Sequence, residues 1–123
     1  MNAGDFRQAM SQYPTGVSVV GMADPDGVQA MTVGSFTSLS LEPPLVVICV
    51  GRQARMAPRL VREARFSVNV LREDQGALST YCAGSWKDLA PPPHRFVPWH
   101  DVPRLEGVID RKSVVRERVC LAV

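Results

Sequence analysis

The sequence of 123 residues has no long hydrophobic run. Its longest, Leu45 to Val50, is the length of one strand, whereas a membrane-spanning helix needs about 20 apolar residues. No membrane partner is expected. Cysteine is scarce: Cys49, Cys82 and Cys120 show no CxxC spacing and no neighbouring histidine pair. That excludes a zinc-ligand pattern, so no metal is expected, and it gives no disulfide framework. Cys49, inside the apolar run, is expected to be a buried small hydrophobe. The first ten residues lack the basic start and apolar stretch of a secretory signal, which with this cysteine usage points to a cytoplasmic location. Charge of one sign is nearly absent too. The net charge is +2, and residues 110–123 carry all of it with four basic and two acidic side chains, while residues 1–109 hold ten of each. No basic face remains for nucleic acid.

What is present fits one folded domain with one core. Apolar residues make up 46% and charged residues 21%, an ordinary globular balance. Asp5 can cap a short helix with Phe6, Met10 and Tyr13 on one face. Pro14 ends it, and a strand follows from Gly16 to Met22. Asp24-Pro25-Asp26-Gly27 is a turn signal, so that strand should hairpin into Val28 to Val33. Residues 34–44 read as an extended loop closed by a double proline. Leu45 to Val50 reads as a central strand buried on both faces. Pro58 suits the first turn of a helix running to about Ala64 and packed through Leu60 and Val61. From Phe66 to Leu71 the pattern alternates. Asp74 can cap a helix ending near Gly84, with Ala77, Leu78 and Tyr81 as its stripe. Residues 85–103 hold five prolines, both tryptophans and both histidines and read as a long irregular loop. Hairpins with short helices between them give an α+β, mainly antiparallel β fold.

The chemistry-bearing segment runs from Met31 to Leu45. Thr32, Ser35, Thr37, Ser38 and Ser40 place five hydroxyls before a strand, with no acidic side chain until Glu42. Such hydroxyls and loop N–H groups suit a phosphate or a ring rich in carbonyls and nitrogens. They also suit a turn that satisfies its own backbone. The residues alone leave both readings open.

Four blocks resemble the flavin reductase-like family of FMN-binding split β-barrels, the small reductase components of two-component flavin monooxygenases. They are Phe6-Arg7 with Thr15-Gly16-Val17; Asp26-Gly27 followed by Met31 to Leu45; Phe66 to Leu71; and Gln75 with Leu78-Ser79 and Ala83-Gly84. Pro103, Leu105 and Gly107 resemble the next landmark. The resemblance implies NAD(P)H-dependent reduction of FMN or FAD, reduced flavin being supplied to an oxygenase component, and a homodimer with flavin near the subunit interface. The alternative it leaves is an FMN-binding split barrel without reductase turnover. It also implies that Met31, Thr32, Ser35, Phe36, Thr37 and Ser38 line the ring and ribityl chain, with Cys49, Val50 and Gly51 along the next strand and Asn69 nearby. Relatives carry Ser and Thr after the position of Gly51 to hold the phosphate. Ala54 and Met56 stand here, so Arg52 and Arg55 are the expected substitutes. Trp86, Arg95 and Phe96 are candidates to cover a ring, and His94 and His100 read as packing or surface residues. No catalytic acid or base is expected, because hydride transfer belongs to the cofactors and the protein positions them.

After residue 109 the resemblance stops. Residues 110–123 match nothing in the family and read like the in-frame translation of a sequencing adapter. The expectation is therefore a domain at residues 1–109, a non-homologous tail at 110–123 arising as a sequencing or frame artefact, and a barrel incomplete at its C-terminus with unpaired strand edges. The other reading is a divergent terminal strand built on Val114, Val115 and Val119.

Overall fold

A computed structural model describes residues 1–25, 27–63, 65–84, 90–108, 110–115 and 119–122, with only the backbone described at 63, 110–115 and 119–122. The chain runs α1 (Ala3–Ser11), β1 (Ser18–Asp24), β2 (Gly27–Val33), β3 (Thr37–Ser40), β4 (Leu45–Gly51), α2 (Ala57–Glu63) and β5 (Arg65–Val70). A 3-10 turn (Glu73–Gln75) leads into α3 (Gly76–Cys82), then β6 (Phe96–Trp99), β7 (Val102–Leu105), β8 (Asp110–Val115) and β9 (Val119–Ala122). The expected α+β, mainly antiparallel architecture with short flanking helices is observed.

One sheet has the order β2-β1-β5-β8, a second β3-β4-β9, and β6-β7 forms a separate hairpin. β1 pairs antiparallel with β2 from Ser18–Val33 to Asp24–Gly27 and with β5 through Val20–Val68. The β1–β5 pair carries a core on each face. Val20, Met22, Phe66 and Val68 point to one side, where Ile48 and Val50 of β4 and Met56, Ala57 and Leu60 at α2 close the larger core. Val19 points to the other, with Leu71, Leu78, Cys82 and Leu105. Ser67 and Asn69 share that second face, and both are fully buried. Gly21 makes the β6–β7 hairpin's approach possible. A Cβ there would sit 3.1 Å from Ser67 Oγ, 3.2 Å from the Phe96 ring and 3.3 Å from the Pro103 carbonyl.

The strand buried on both faces is thus β1, not β4. Along β4 burial alternates, so Ile48 and Val50 enter the core while Cys49 is exposed. The reason is layer position: β4 has its second face outward, and two-residue periodicity sends Cys49 there. Residues 34–44 are not all loop, because Thr37–Ser40 forms β3 against Val46 and Val47. Ser and Thr tolerate an edge strand where a neighbour supplies the ladder. Residues 96–103 of the supposed irregular loop lie in a hairpin, Phe96–Trp99 against Val102–Leu105, that turns at His100 (φ 47°) and Asp101 (φ 68°). Two successive left-handed residues make the tight turn usually signalled by Asn-Gly, and His-Asp hid it.

Helix ends differ as well. Asn2, not Asp5, caps α1, accepting from Asp5 N at 2.8 Å. Before α3, Gln75 Oε1 accepts from Arg72 N at 2.7 Å, while Asp74 pairs with the Arg72 guanidinium at 3.0 Å. Val61 on α2 is exposed, because the packed positions are Met56, Ala57 and Leu60; Ala77 on α3 is exposed, and Leu78 and Cys82 are its buried residues. The strand edges expected to be open are paired. Asp110–Val115 lies antiparallel to β5, and Val119–Ala122 lies parallel to β4. Asp26, Ala64 and Trp86 lie outside the described residues, as do the side chains of Val114, Val115 and Val119.

Candidate functional site

β2 is an edge strand, and a groove runs beside it. Two cavities of about 350 Å³ and 190 Å³ share Gln29, Ala30, Arg55 and Cys82 as a common wall. Met31, Ala54, Met56, Ala83 and Gly84 complete the smaller one. Asp24, Val28, Tyr81, His94 and Phe96 complete the larger. β2 is the floor, the segment entering α2 is one side, and the end of α3 with the strand start at Phe96 is the other.

The walls differ in character. Tyr81, His94 and Phe96 make an aromatic row, with centroids 5.8 Å apart for Tyr81–His94 and 5.9 Å for the edge-on His94–Phe96 pair. His94 Nδ1 lies 2.6 Å from the Pro92 carbonyl; a carbonyl only accepts, so Nδ1 carries the proton in this contact. Across the groove Arg55 supplies a cation to both cavities. Burial pushes the Cys82 thiol up to about 11, which keeps it a neutral packing group. Among the described residues no cluster of His, Cys, Asp and Glu could hold a metal ion.

Of the twelve residues expected at the site, this groove brings together Met31 and Arg55. Ser35, Phe36 and Thr37 open instead onto a separate cavity of about 510 Å³, with Tyr13 to Gly16, Ser18, Gly34 and Val70. Two of the hydroxyls are engaged in holding the fold. Ser35 Oγ accepts from Cys49 N at 2.8 Å and donates to Cys49 O at 3.0 Å, fastening the β3 approach to β4. Thr32 Oγ1 donates to the Ser79 carbonyl at 2.6 Å and ties β2 to α3. Ser38 and Gly51 are exposed, as is Arg52, which lines neither cavity of the groove. The Val50 side chain is in the core.

Asn69 is fully buried and none of the cavities beside β2 includes it. Its Nδ2 donates to Val19 O at 2.9 Å and Ser67 Oγ at 3.0 Å, and its Oδ1 accepts from Leu105 N at 2.9 Å. The amide's hydrogen bonds therefore stitch β1 and β7 to β5. Sequence reasoning missed Gln29, Tyr81 and the end of α3. One signal for Gln29 was available: it shares a face of β2 with Met31 and Val33, both turned to the larger core, and a polar residue on such a face is informative.

Residues 10–110 match the model of the flavin reductase like domain. An NADH-dependent flavin reductase of Rhodococcus is 35% identical over 107 residues, which is 85% of this chain and 60% of that protein. Among solved structures, the flavin reductase PheA2 superposes with a TM-score of 0.82 at 31% identity, covering 92% of this chain and 72% of that one. The styrene monooxygenase flavin reductase of Pseudomonas putida gives 0.76 at 34% identity, covering 89% and 70%. The chain spans about half the length of the curated relatives it matches. With a match across most of its length in both sequence and fold, this chain belongs to the flavin reductase-like domain family and has its split-barrel architecture.

Proposed function

We propose that this chain forms the flavin site of an NAD(P)H-dependent flavin reductase, which reduces FMN or FAD and supplies the reduced flavin to a separate oxygenase component. The observation that carries this reading is the groove along β2, lying in a chain of this family. Its make-up fits a flavin nucleotide. Ala30, Met31, Ala54 and Met56 give apolar surface for a planar ring, and Arg55 is placed to pair with phosphate oxygens. The aromatic row of Tyr81, His94 and Phe96 offers a second stacking surface for a nicotinamide nucleotide. When bound, the cofactors supply the hydride chemistry; the chain binds, orients and shields them. No side chain is assigned as general acid or base.

The oxygenase partner is supported by the styrene monooxygenase reductase among the similar structures. A homodimer is supported by α1, whose Phe6 and Met10 are exposed at 56% and 49%, next to Tyr13 at 66%. Tyr13 also lines the cavity that holds Ser35, Phe36 and Thr37, so a second copy covering α1 would close that cavity too and bring those residues to a shared flavin site. The same reading takes residues 1–109 as the domain and 110–123 as a tail outside the family, and places the protein in the cytoplasm with the nicotinamide pool. Among the described residues no helix is long and apolar enough to cross a membrane.

The test is reconstitution with FMN or FAD followed by anaerobic mixing with NADH or NADPH. Rapid bleaching of the flavin absorbance near 450 nm is expected on the order of milliseconds to seconds. Flavin that binds but does not bleach would favour the binding protein without turnover. Failure to bind any flavin overturns the proposal.

A further inference from the structure

Arg59 reaches from α2 to the end of the β1–β2 hairpin. Its Nη1 donates to Gln29 Oε1 at 3.0 Å and to Asp24 Oδ2 at 3.3 Å, and its Nη2 donates to the Ala23 carbonyl. Arg59 and Asp24 are both partly shielded from solvent, with side-chain exposures of 24% and 32%. A guanidinium has donors and no acceptor, so only the oxygen end of the Gln29 amide can face it. Chemistry, rather than the choice of a rotamer, fixes which way that amide points. Its nitrogen end, with two donors, makes no hydrogen bond among the described residues, and Gln29 is common to the walls of both cavities of the groove.

We infer that Gln29 is a specificity-determining residue of the flavin groove, whose Nε2 donates to an acceptor on the bound nucleotide, and that Arg59 is the positioning residue that holds it in that sense. The inference rests on the flavin reading above. The acceptor is a carbonyl oxygen or an unprotonated nitrogen of the oxidised flavin ring, or a phosphate oxygen; each accepts from an amide N–H.

Gln29→Glu tests this with the full chain. A glutamate keeps an oxygen for Arg59 and strengthens that pair, so the melting temperature should hold, but it turns a donor into a charged acceptor. FMN affinity, read by fluorescence titration, should fall about tenfold or more. Riboflavin, which lacks the phosphate, locates the acceptor: an equal loss with both ligands places it on the ring, and a loss confined to FMN places it on the phosphate. Arg59→Met should weaken FMN binding when Gln29 is present and add nothing when Gln29 is already Leu, whereas a purely structural Arg59 would weaken both backgrounds alike. An FMN affinity for Gln29→Glu within twofold of the unaltered protein overturns the inference and leaves the flavin reading standing. Unaltered protein that binds no flavin removes both.

Discussion

Asn69 illustrates how much one side chain holds in this fold. At 0% exposure it joins three strands through three hydrogen bonds, one of them from the Leu105 N–H. Leucine at this position would fill similar space and leave the Val19 carbonyl, the Ser67 hydroxyl and the Leu105 amide to find other partners. Each buried polar group left unsatisfied costs about 1–3 kcal/mol. Asn69→Leu should therefore destabilise the domain by about 3 kcal/mol, seen as a lower urea midpoint at unchanged slope. Flavin affinity measured well below that midpoint should be unaltered, because Asn69 offers no surface to a ligand. A large loss of affinity without loss of stability would restore it to the site.

At the scale of elements, α1 and the β6–β7 hairpin behave in opposite ways. The hairpin is short and proline-bearing, yet it is held by Leu105 and Val102 in the interior, by the Pro103 carbonyl accepting from Ser67 Oγ and by the space over Gly21. α1 is regular, capped and amphipathic, yet buries none of its residues. A helix of nine residues is too short to be stable alone in water, so its apolar face is expected to find cover in a second copy. In the proposed homodimer, Phe6→Asp with Met10→Asp should shift light scattering from dimer to monomer, with FMN affinity falling as the cavity beside Tyr13 opens. A dimer that survives both substitutions would place the interface elsewhere.

For the whole molecule, the decisive feature is how its sheet edges are closed. β5 and β4 lie inside their sheets only because Asp110–Val115 and Val119–Ala122 pair with them. Backbone ladders depend little on side-chain identity, so this pairing is compatible with a tail unrelated to the family. Deleting residues 110–123 should expose both edges and drive aggregation, measured by size-exclusion chromatography against the full chain. A monodisperse, soluble product ending at residue 109 would show that the two outer strands are dispensable.

Sequence alone determined α1, β1, β2, β4, α2, β5 and α3, the β1–β2 hairpin, the family resemblance and its expected ligand class, because strand alternation, turn residues and the Met31–Leu45 and Phe66–Leu71 blocks are local signals; β3, the β6–β7 hairpin and the pairing of β8 and β9 were not read from it. Met31 and Arg55, which the resemblance named, both line the groove along β2. Which faces are buried was decided only in three dimensions. β1 and β4 are both apolar in sequence, but only β1 lies between two cores, so Val19 and Val20 are both interior while Cys49 is exposed. Asn69 and Ser35 carry polar groups that a ligand or the backbone could equally use, and the partners they take within the chain, Val19, Leu105 and Cys49, come from other strands. Gln29 became legible only when Arg59, thirty residues away in sequence, was seen to hold its oxygen. Hydrogen bonds and burial between distant segments leave no local pattern, and that is the physical reason the groove's second wall had to be read from the fold.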